Sequence, residues 1–278
     1  MPSLPGRVVV ITGATSGIGL VAAESLARMG ARILFVARDR TRGEAVLDRL
    51  RAAGPQAAHA AHYADLSRIA EMKRVAAEIA AAEPRINVLI NNAGGLFNLR
   101  RLTADGLEMT FATNHMSYFL LTMGLAERLK ATPGARVVNT ASDAHEGKRL
   151  DFDDLQSAKH FRGFKVYGRS KLCNILFTRE LARRWRDTGV TVNCLHPGFV
   201  STRFGDQSGG LFQRVVSVAK LFAISPEKGA ETIIYLASSE AVSNITGEYF
   251  YKCRAIAPSK AAQDDEAARR LWEYSERL

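Results

Sequence analysis

Tyr167 and Lys171 stand four positions apart in a stretch with helical spacing, in the order Tyr-Gly-Arg-Ser-Lys. Residues four apart share one face of a helix, so the phenol and the ammonium are predicted to point the same way. A free phenol has a pKa of about 10, and a cation about 4 Å away is worth about 4 kcal/mol near a protein surface. The spacing therefore predicts a tyrosine whose pKa is lowered toward neutral pH, although a structural tyrosine and a surface lysine would produce the same pattern.

A glycine-rich turn near the start of the chain is suited to binding phosphate. The apolar run 7–12 leads into TGATSGIG at 12–19, and a helical stretch follows. Gly13 permits a tight turn, Gly17 lets the backbone approach a pyrophosphate, and Gly19 lets a helix pack closely on a strand. The helix N-terminus adds free N–H groups and a partial positive charge. The alternative is a turn rich in glycine for geometry alone. The predicted phosphate-binding residues are Gly13, Thr15, Ser16, Gly17, Ile18 and Gly19.

The end of the second predicted strand bears on the choice between NAD and NADP. An NAD-binding protein places an acidic residue there to hold the ribose 2′-hydroxyl, whereas an arginine accommodates the 2′-phosphate of NADP. Ala37 occupies the position of the acid and Arg38 follows it, with Asp39 next. An arginine can bind a phosphate through two hydrogen bonds at once. The sequence therefore favours NADP(H) over NAD(H), with a solvated basic loop as the alternative reading of this segment.

Strands and helices alternate along the chain, which predicts an α/β fold. Because parallel neighbours need crossover connections, this order implies a single Rossmann-type, doubly wound parallel sheet of about seven strands with helices on both faces. No repeat, low-complexity tract or linker divides the chain, so residues 1–278 are interpreted as one domain. The predicted strands are 7–12, 32–37, 57–63, 86–91, 136–141, 190–195 and 247–251, and the predicted helices are 17–30, 41–53, 67–82, 103–130 and 164–186.

Composition excludes several classes of protein. The 278 residues are 47% apolar and 24% charged, with a net charge of +10, and nine basic residues but one acidic residue lie between 157 and 186. No nucleic-acid-binding motif accompanies this charge, so nucleic-acid binding is not expected; a solvated helix face is favoured over a weak membrane-surface contact. The three cysteines form no CxxC pair, which argues against disulfides and a metal site. A cytoplasmic protein is expected, since no apolar run is long enough to span a membrane.

These motifs occur together in the order typical of the short-chain dehydrogenase/reductase family, which the chain resembles over nearly its full length. Besides the glycine turn and the Tyr-Lys pair, the resemblance rests on residues that mostly follow predicted strands. They are Asp65 with Leu66, Asn91 to Gly94, Asn114, Ser142, and Pro197-Gly198 with Thr202. The carboxyl ends of parallel strands meet at one edge of a sheet, where open α/β sheets bind their ligands. A satisfied structural hydrogen bond is the alternative role for each polar residue.

The resemblance implies a catalytic group of four residues. Tyr167 is expected to act as acid in carbonyl reduction and as base in alcohol oxidation. Lys171 is expected to lower the pKa of Tyr167 and to hold the nicotinamide ribose. Ser142 is expected to bind the substrate oxygen, with Thr140 as the only nearby hydroxyl alternative, and Asn114 to support a water-mediated proton relay through Lys171.

The resemblance also implies residues that contact a dinucleotide. Asp65 is expected at the adenine edge, beside Leu66, and the segment from Asn92 through Ala93 to Gly94 is expected along the adenosine ribose. The carboxamide is expected to be held by Pro197, Gly198, Val200 and Thr202.

Closer resemblance is to the branch that contains the retinol dehydrogenases, the WW-domain oxidoreductases and the protochlorophyllide reductases. The residues that carry it include SKL at 170–172, HPG at 196–198 and ARRLW at 268–272. Membrane-bound members of this branch have an N-terminal hydrophobic anchor, which this chain is expected to lack. The resemblance therefore implies an apolar alcohol and its aldehyde or ketone, retinoid-, steroid- or lipid-like, rather than retinol itself. Glycines at 205, 209 and 210 and an amphipathic pattern at 211–222 favour a lid or a packed helix equally.

The expected function is NADP(H)-dependent oxidoreduction of this pair by hydride transfer. The alternative is a non-catalytic NADP-binding regulatory or scaffold protein, against which the intact catalytic group argues. The resemblance also implies a homo-oligomer, a dimer or tetramer, formed through the helices predicted at 103–130 and 164–186.

Overall fold

The computed structural model describes residues 3–198 and 224–278. Its centre is one sheet of eight strands in the order β3-β2-β1-β4-β5-β6-β7-β8. The strands are β1 Val8–Thr12, β2 Arg32–Ala37, β3 Ala60–Tyr63, β4 Val88–Asn91, β5 Arg136–Thr140, β6 Thr191–Leu195, β7 Tyr249–Tyr251 and β8 Arg254–Ile256. All neighbours are parallel except β7 and β8, which pair antiparallel at the edge. The predicted sheet is confirmed, and the eighth strand was not predicted.

Helices cover both faces of this sheet. The helices of the described chain are α1 Gly17–Arg28, α2 Arg40–Ala53, α3 Ile69–Ala82, α4 Met109–Phe111, α5 Ser117–Gly124, α6 Ala126–Lys130, α7 Gly163–Arg184, α8 Pro226–Ser238 and α9 Asp265–Glu276. One apolar core contains side chains of α1, α2 and α8, and the other contains those of α3, α5, α7 and α9. The sheet is therefore buried on both sides, which explains why its strands are continuous apolar runs.

Two helices begin later than predicted. The helix expected at 103–130 begins at Met109, because the Glu108 carboxylate accepts the N–H groups of Thr110 and Phe111, at 2.8 and 2.9 Å. The helix expected from position 67 begins at Ile69, whose N–H is accepted at 2.8 Å by the distant carboxylate of Asp105. A carboxylate at a helix N-terminus satisfies free N–H groups and complements the helix dipole.

The helical region that follows Glu108 is interrupted at two places. Its π-helical turn, Ala112–Met116, separates α4 from α5, and a break at Leu125 separates α5 from α6. Single π-helical turns inside α-helices occur frequently at functional sites. The turn contains Asn114, which the sequence assigned to the catalytic group.

Helix α9 covers part of the surface of α5 and α7. The Trp272 ring lies 5.1 Å from the ring of Phe119 on α5 and 5.9 Å from that of Phe177 on α7, measured between centroids. His115 in the π-helical turn hydrogen-bonds Ser275 at 2.8 Å. The C-terminal helix is thus part of the same core as the two helices it covers.

Within residues 3–198 and 224–278, no helix combines the length and the apolar character that crossing a membrane requires. Over the same ranges, no group of three or more His, Cys, Asp and Glu side chains could hold a metal ion. Cys173, Cys194 and Cys253 are free thiols.

Candidate active site

The predicted site residues that the structure describes gather at the carboxyl ends of the parallel strands. The strand order reverses at β1, which pairs with β2 on one side and β4 on the other. The connections that follow β1 and β4 diverge to opposite faces of the sheet. A crevice therefore opens between these two strands, where open α/β sheets bind ligands. The glycine turn follows β1, Asn92 to Gly94 follow β4, and Ser142 follows β5.

The glycine turn has the close contacts that its spacing predicts. Gly13 has φ +71°, and a Cβ there would lie 2.8 Å from the Cα of Ala93. A Cβ on Gly19 would collide with the carbonyl oxygen of Gly13. Gly17 has φ +57° and is the first residue of α1. No side chain larger than hydrogen fits at Gly13 or Gly19 without a backbone shift, so the turn lies directly against the segment after β4.

Helix α1 presents its N-terminus beside this turn. Its N-cap residue, Ser16, is extended and exposed, and its side chain caps none of the helix N–H groups. Thr15 and Ile18, on either side, are half-buried. Free N–H groups at a helix N-terminus carry partial positive charge and bind anions. The turn and helix can therefore hold the phosphates of a dinucleotide.

A hydrogen-bond network that the sequence did not predict joins β1 to β4. The Thr12 hydroxyl accepts the N–H groups of Asn92 and Ala93, both at 3.0 Å. The Asn92 amide donates to the carbonyl oxygens of Thr12 and Gly13, at 3.2 and 3.3 Å. These bonds fix the wall of the crevice along which the ribose was expected to lie. The position of Thr12, directly before the first glycine, was the signal that could have identified it.

The end of β2 leaves Arg38 available for a ligand. Arg38 is exposed, and among the described residues it has no hydrogen-bond or ion-pair partner. Asp39 instead caps α2, accepting the N–H of Arg42 at 2.7 Å. Asp39 therefore has a structural role at the start of α2. The guanidinium of Arg40 lies over the Tyr63 ring, 4.3 Å from its centroid.

Asp65 and Leu66 lie after β3, on the same edge of the sheet. The Asp65 carboxylate accepts the backbone N–H and the hydroxyl of Ser67, at 3.0 and 2.8 Å. Ser67 therefore belongs to a turn that precedes α3. Leu66 is half-buried against the core. Asp65 thus makes the structural hydrogen bonds that were the alternative to a role in binding. Its contact with adenine stays a prediction.

The structure places three of the four predicted catalytic residues close together. Tyr167 and Lys171 are buried on α7, and Lys171 Nζ lies 5.7 Å from the centroid of the Tyr167 ring. The Ser142 hydroxyl lies beside Tyr167 and acts to lower its pKa. Lys171 Nζ donates to the carbonyl oxygen of Thr140 at 2.9 Å. The Thr140 hydroxyl donates to Asn92 Oδ1 at 3.3 Å, so Ser142 supplies the hydroxyl beside the tyrosine.

Asn114 is held next to this group rather than hydrogen-bonded to it. Its amide donates to the carbonyl oxygen of Gly95 and to the Ser170 hydroxyl, both at 2.9 Å, and its Oδ1 accepts the Gly95 N–H at 2.8 Å. A Cβ on Gly94 would lie 3.0 Å from Asn114 Oδ1 and 3.6 Å from Lys171 Nζ. Gly94 thus separates the two polar groups, and the π-helical turn presents Asn114 to this space.

Burial determines the protonation of the pair in this structure. Burial raises the pKa of Tyr167 well above its usual value, and the Ser142 hydroxyl beside it opposes this. Burial lowers the pKa of Lys171 to about 7. The structure therefore contradicts the expectation that Lys171 brings the pKa of Tyr167 toward neutral pH. The physical reason is that removing either group from water disfavours its charged form.

The last predicted binding segment follows β6. Gly198 has φ +82°, and a Cβ there would lie 3.2 Å from Ile224. Pro197 precedes it, and the His196 ring stacks on Tyr251 with centroids 4.1 Å apart. Val200, Thr202 and the region 205–222 lie outside the described residues. The ring centroids of His196 and Tyr249 lie 5.5 Å apart. Neither residue was predicted from the sequence as part of the site.

Arg183 and Arg184 at the end of α7 are exposed, as favoured from the sequence, but they also pair with a buried carboxylate. Arg183 and Arg184 bind both carboxylate oxygens of Glu180, which is 1% exposed. Arg184 also lies over the ring of Trp272 on α9, and Arg179 pairs with Asp265 at 3.1 Å. Arg179 and Arg184 therefore stabilise the contact between α7 and α9.

The fold and the arrangement of Ser142, Tyr167, Lys171 and the glycine turn define a dinucleotide-linked oxidoreductase. The chain belongs to the short-chain dehydrogenase family, whose model, described as short chain dehydrogenase, matches residues 7–209. Members of this class interconvert alcohols and carbonyl compounds, and this chain is such an oxidoreductase.

Its relatives include several retinol dehydrogenases. The chain is 39% identical to human retinol dehydrogenase 13 over 282 residues, which cover 99% of this chain and 85% of that protein. It is 40% identical to human retinol dehydrogenase 14 over 291 residues, covering 98% and 85%.

Solved structures confirm the fold. A protein from Mycobacterium paratuberculosis matches with a TM-score of 0.79 and 30% identity, covering 100% of this chain and 94% of that one. The Pseudomonas aeruginosa RhlG/NADP active-site complex matches with a TM-score of 0.71 and 28% identity, covering 89% and 95%.

Proposed function

We propose that this chain is an NADP(H)-dependent oxidoreductase that interconverts an apolar alcohol and its aldehyde or ketone, with Tyr167 as acid and base. The observation that carries the proposal is that Tyr167 and Lys171 lie beside the end of β5 and Ser142, at the sheet edge where the glycine turn lies. A phenol held beside a hydroxyl at a ligand-binding crevice can transfer a proton to or from a bound oxygen. The relatives named retinol dehydrogenases act on a substrate of this chemical class.

The residues present fit a dinucleotide. The backbone at Gly13 and Gly19 leaves no room for a side chain, and the N-terminus of α1 opens beside them. The bound nicotinamide would supply the hydride acceptor or donor. Gly94 lies between Asn114 and Lys171, so a ribose placed there would meet the ammonium.

Each catalytic side chain has a separate task in the reduction of a carbonyl. Ser142 binds the substrate oxygen and fixes its distance from Tyr167. Tyr167 donates its proton to that oxygen as the alcohol forms, and takes it back in the reverse direction. Lys171 lies beside the phenol and can stabilise its ionised form whenever the ammonium is protonated. Asn114, fixed by Gly95 and Ser170, supports the proton path that leaves through Lys171.

Exposed apolar side chains near the site support an apolar substrate. Phe164, in the first turn of α7, is 54% exposed, although its ring lies only 6.4 Å from that of Tyr167. Leu99 is 68% exposed, and the segment that contains it lies against Gly163. Large exposed side chains of this kind often mark surfaces that bind apolar ligands.

The preference for NADP(H) rests on Arg38, which is exposed at the carboxyl end of β2 while Asp39 is engaged in capping α2. The test compares kcat/KM for NADPH and NADH in the wild type and in Arg38→Ser. We expect NADPH to be preferred, and the variant to lose at least about tenfold with NADPH but little with NADH, since a phosphate–arginine pair is worth about 1.5–3 kcal/mol. Arg42→Ser is the matched control. A wild type that prefers NADH would contradict the cofactor assignment.

A homo-oligomer and a cytoplasmic location belong to the same proposal and rest on the resemblance and the sequence. Helix α9 covers part of the surface of α5 and α7. Subunits would therefore have to meet through other parts of these helices, and light scattering of the full chain measures whether they do. Membrane-surface contact by the basic segment is at most weak in this proposal, because several of its arginines already pair with carboxylates. Binding to anionic vesicles that falls steeply with salt would contradict this.

A further inference from the structure

The residue directly after Ser142 is an exposed aspartate whose carboxylate takes part in the catalytic hydrogen bonds. The Ser142 hydroxyl donates to Asp143 Oδ1 at 3.1 Å, and its oxygen accepts the N–H of Ala144 at 3.1 Å. A Cβ on Gly168, the residue after Tyr167, would collide with the carbonyl oxygen of Ala144, so this segment packs against the turn of α7 that carries Tyr167. Neither the family resemblance nor the comparisons assign a role to Asp143.

A hydroxyl group has one proton and can donate it once. The carboxylate of Asp143 accepts that proton in this structure. A substrate oxygen that takes the Ser142 proton must first displace it from Asp143.

The charges around Tyr167 come from several elements. Lys171 faces it from the same helix, Tyr118 from α5 and Tyr249 from β7, while His196 lies after β6. On the segment after β5, Asp143 acts on Tyr167, and Glu146 acts on Tyr249 and His196. Asp143 is therefore the carboxylate whose negative charge directly opposes ionisation of the phenol.

We propose that Asp143 is a positioning residue that holds the Ser142 proton and, through its negative charge, raises the pH at which Tyr167 can act as a base. This inference rests on the proposed function of Tyr167. Even with the screening of bulk water, one unit charge about 6 Å away is expected to shift an ionisation midpoint by about half a pH unit.

The first arm of the test is the pH profile of kcat/KM for alcohol oxidation, measured for the wild type, Asp143→Asn and Asp143→Ala. Asparagine retains an acceptor for the serine and removes the charge, whereas alanine removes both. Glu146→Gln is the matched control, since it removes a charge from the same segment. We expect both Asp143 variants to move the rising limb to lower pH by about half a unit or more, and the control to move it less. Unmoved profiles, or an equal shift in the control, would overturn the inference.

The second arm needs no turnover. Tyrosinate absorbance is titrated without cofactor or substrate, and subtracting the curve of the matching Tyr167→Phe protein isolates Tyr167. Ionisation at lower pH in Asp143→Asn than in the wild type supports the inference, and coinciding curves overturn it. A shifted titration in a protein that oxidises no alcohol would refute the proposed function and leave the coupling between Asp143 and Tyr167 standing. An active enzyme whose tyrosinate curves coincide would overturn the coupling between Asp143 and Tyr167 and leave the proposed function standing.

Discussion

Replacing Gly13 by alanine should damage the cofactor crevice more than the same change at another left-handed glycine. Gly13 has φ +71° and Gly134 has φ +67°, so alanine meets the same backbone strain at both, about 1–2 kcal/mol. A Cβ at Gly134 would meet no atom within 4 Å, whereas at Gly13 it would lie 2.8 Å from the Cα and 2.9 Å from the N of Ala93. Overpacking of this kind adds about 1–3 kcal/mol. We therefore expect a loss of unfolding free energy of about 2–5 kcal/mol for Gly13→Ala and of about 1–2 kcal/mol for Gly134→Ala.

Urea unfolding measures the two losses, and quenching of intrinsic fluorescence measures the Kd for NADPH. Relieving the contact must move the segment after β4 away from the glycine turn, so binding should weaken by at least about tenfold in Gly13→Ala, which corresponds to about 1.4 kcal/mol. Gly134→Ala should bind NADPH as the wild type does. Equal destabilisation by the two substitutions, together with an unchanged Kd in Gly13→Ala, would refute the reasoning that the turn and this segment form one binding wall.

Three further predictions concern α7 and α9. Burial lowers the pKa of Lys171 to about 7, below its unfolded value of about 10.4; the unfolded chain binds the extra proton between these values, so stability should rise with pH there. Urea unfolding across this window should show a smaller rise in Lys171→Met than in the wild type or in the control Lys165→Met. Glu180→Ala should lower the free energy of unfolding by about 1–2 kcal/mol. The loss is expected to be this small because both partner arginines are partly exposed. An unchanged urea midpoint would contradict this prediction. Trp272→Ala should lower the free energy of unfolding by about 3–5 kcal/mol, because the ring is buried. A loss below about 1 kcal/mol would show that α9 does not stabilise the core.

Local signals in the sequence were sufficient for the sheet and for much of the site. The β1 to α1 turn was predictable because its glycines fall within one short segment, although the atoms that crowd Gly13 belong to the segment after β4. The shared face of Tyr167 and Lys171 was predictable from helix geometry alone. Helix α8 has a local signal that was missed, since Ser225 caps it and Pro226 occupies its first position.

Other features depend on residues far apart in the chain. Helix α3 begins at Ile69 because a carboxylate 36 positions later binds its N–H. Arg179 is held by Asp265, 86 positions away, so its pairing left no local pattern. The pKa of Tyr167 depends on burial as well as on Lys171, and burial follows from the packed fold. Spacing therefore identified which groups meet, while the energetic effect of their meeting required the structure.

The central claim is that Tyr167 transfers the proton in an NADP(H)-linked reaction of an apolar alcohol or carbonyl. NADPH oxidation should be followed over retinoid, steroid, aliphatic and aromatic carbonyls, with the wild type and Tyr167→Phe side by side. The account predicts turnover of at least one apolar carbonyl by the wild type. It also predicts a kcat lowered by about 100-fold or more in the variant, since that is the usual contribution of a positioned acid, with the Kd for NADPH retained. A variant whose kcat stays within a few-fold of the wild type on that substrate would contradict it.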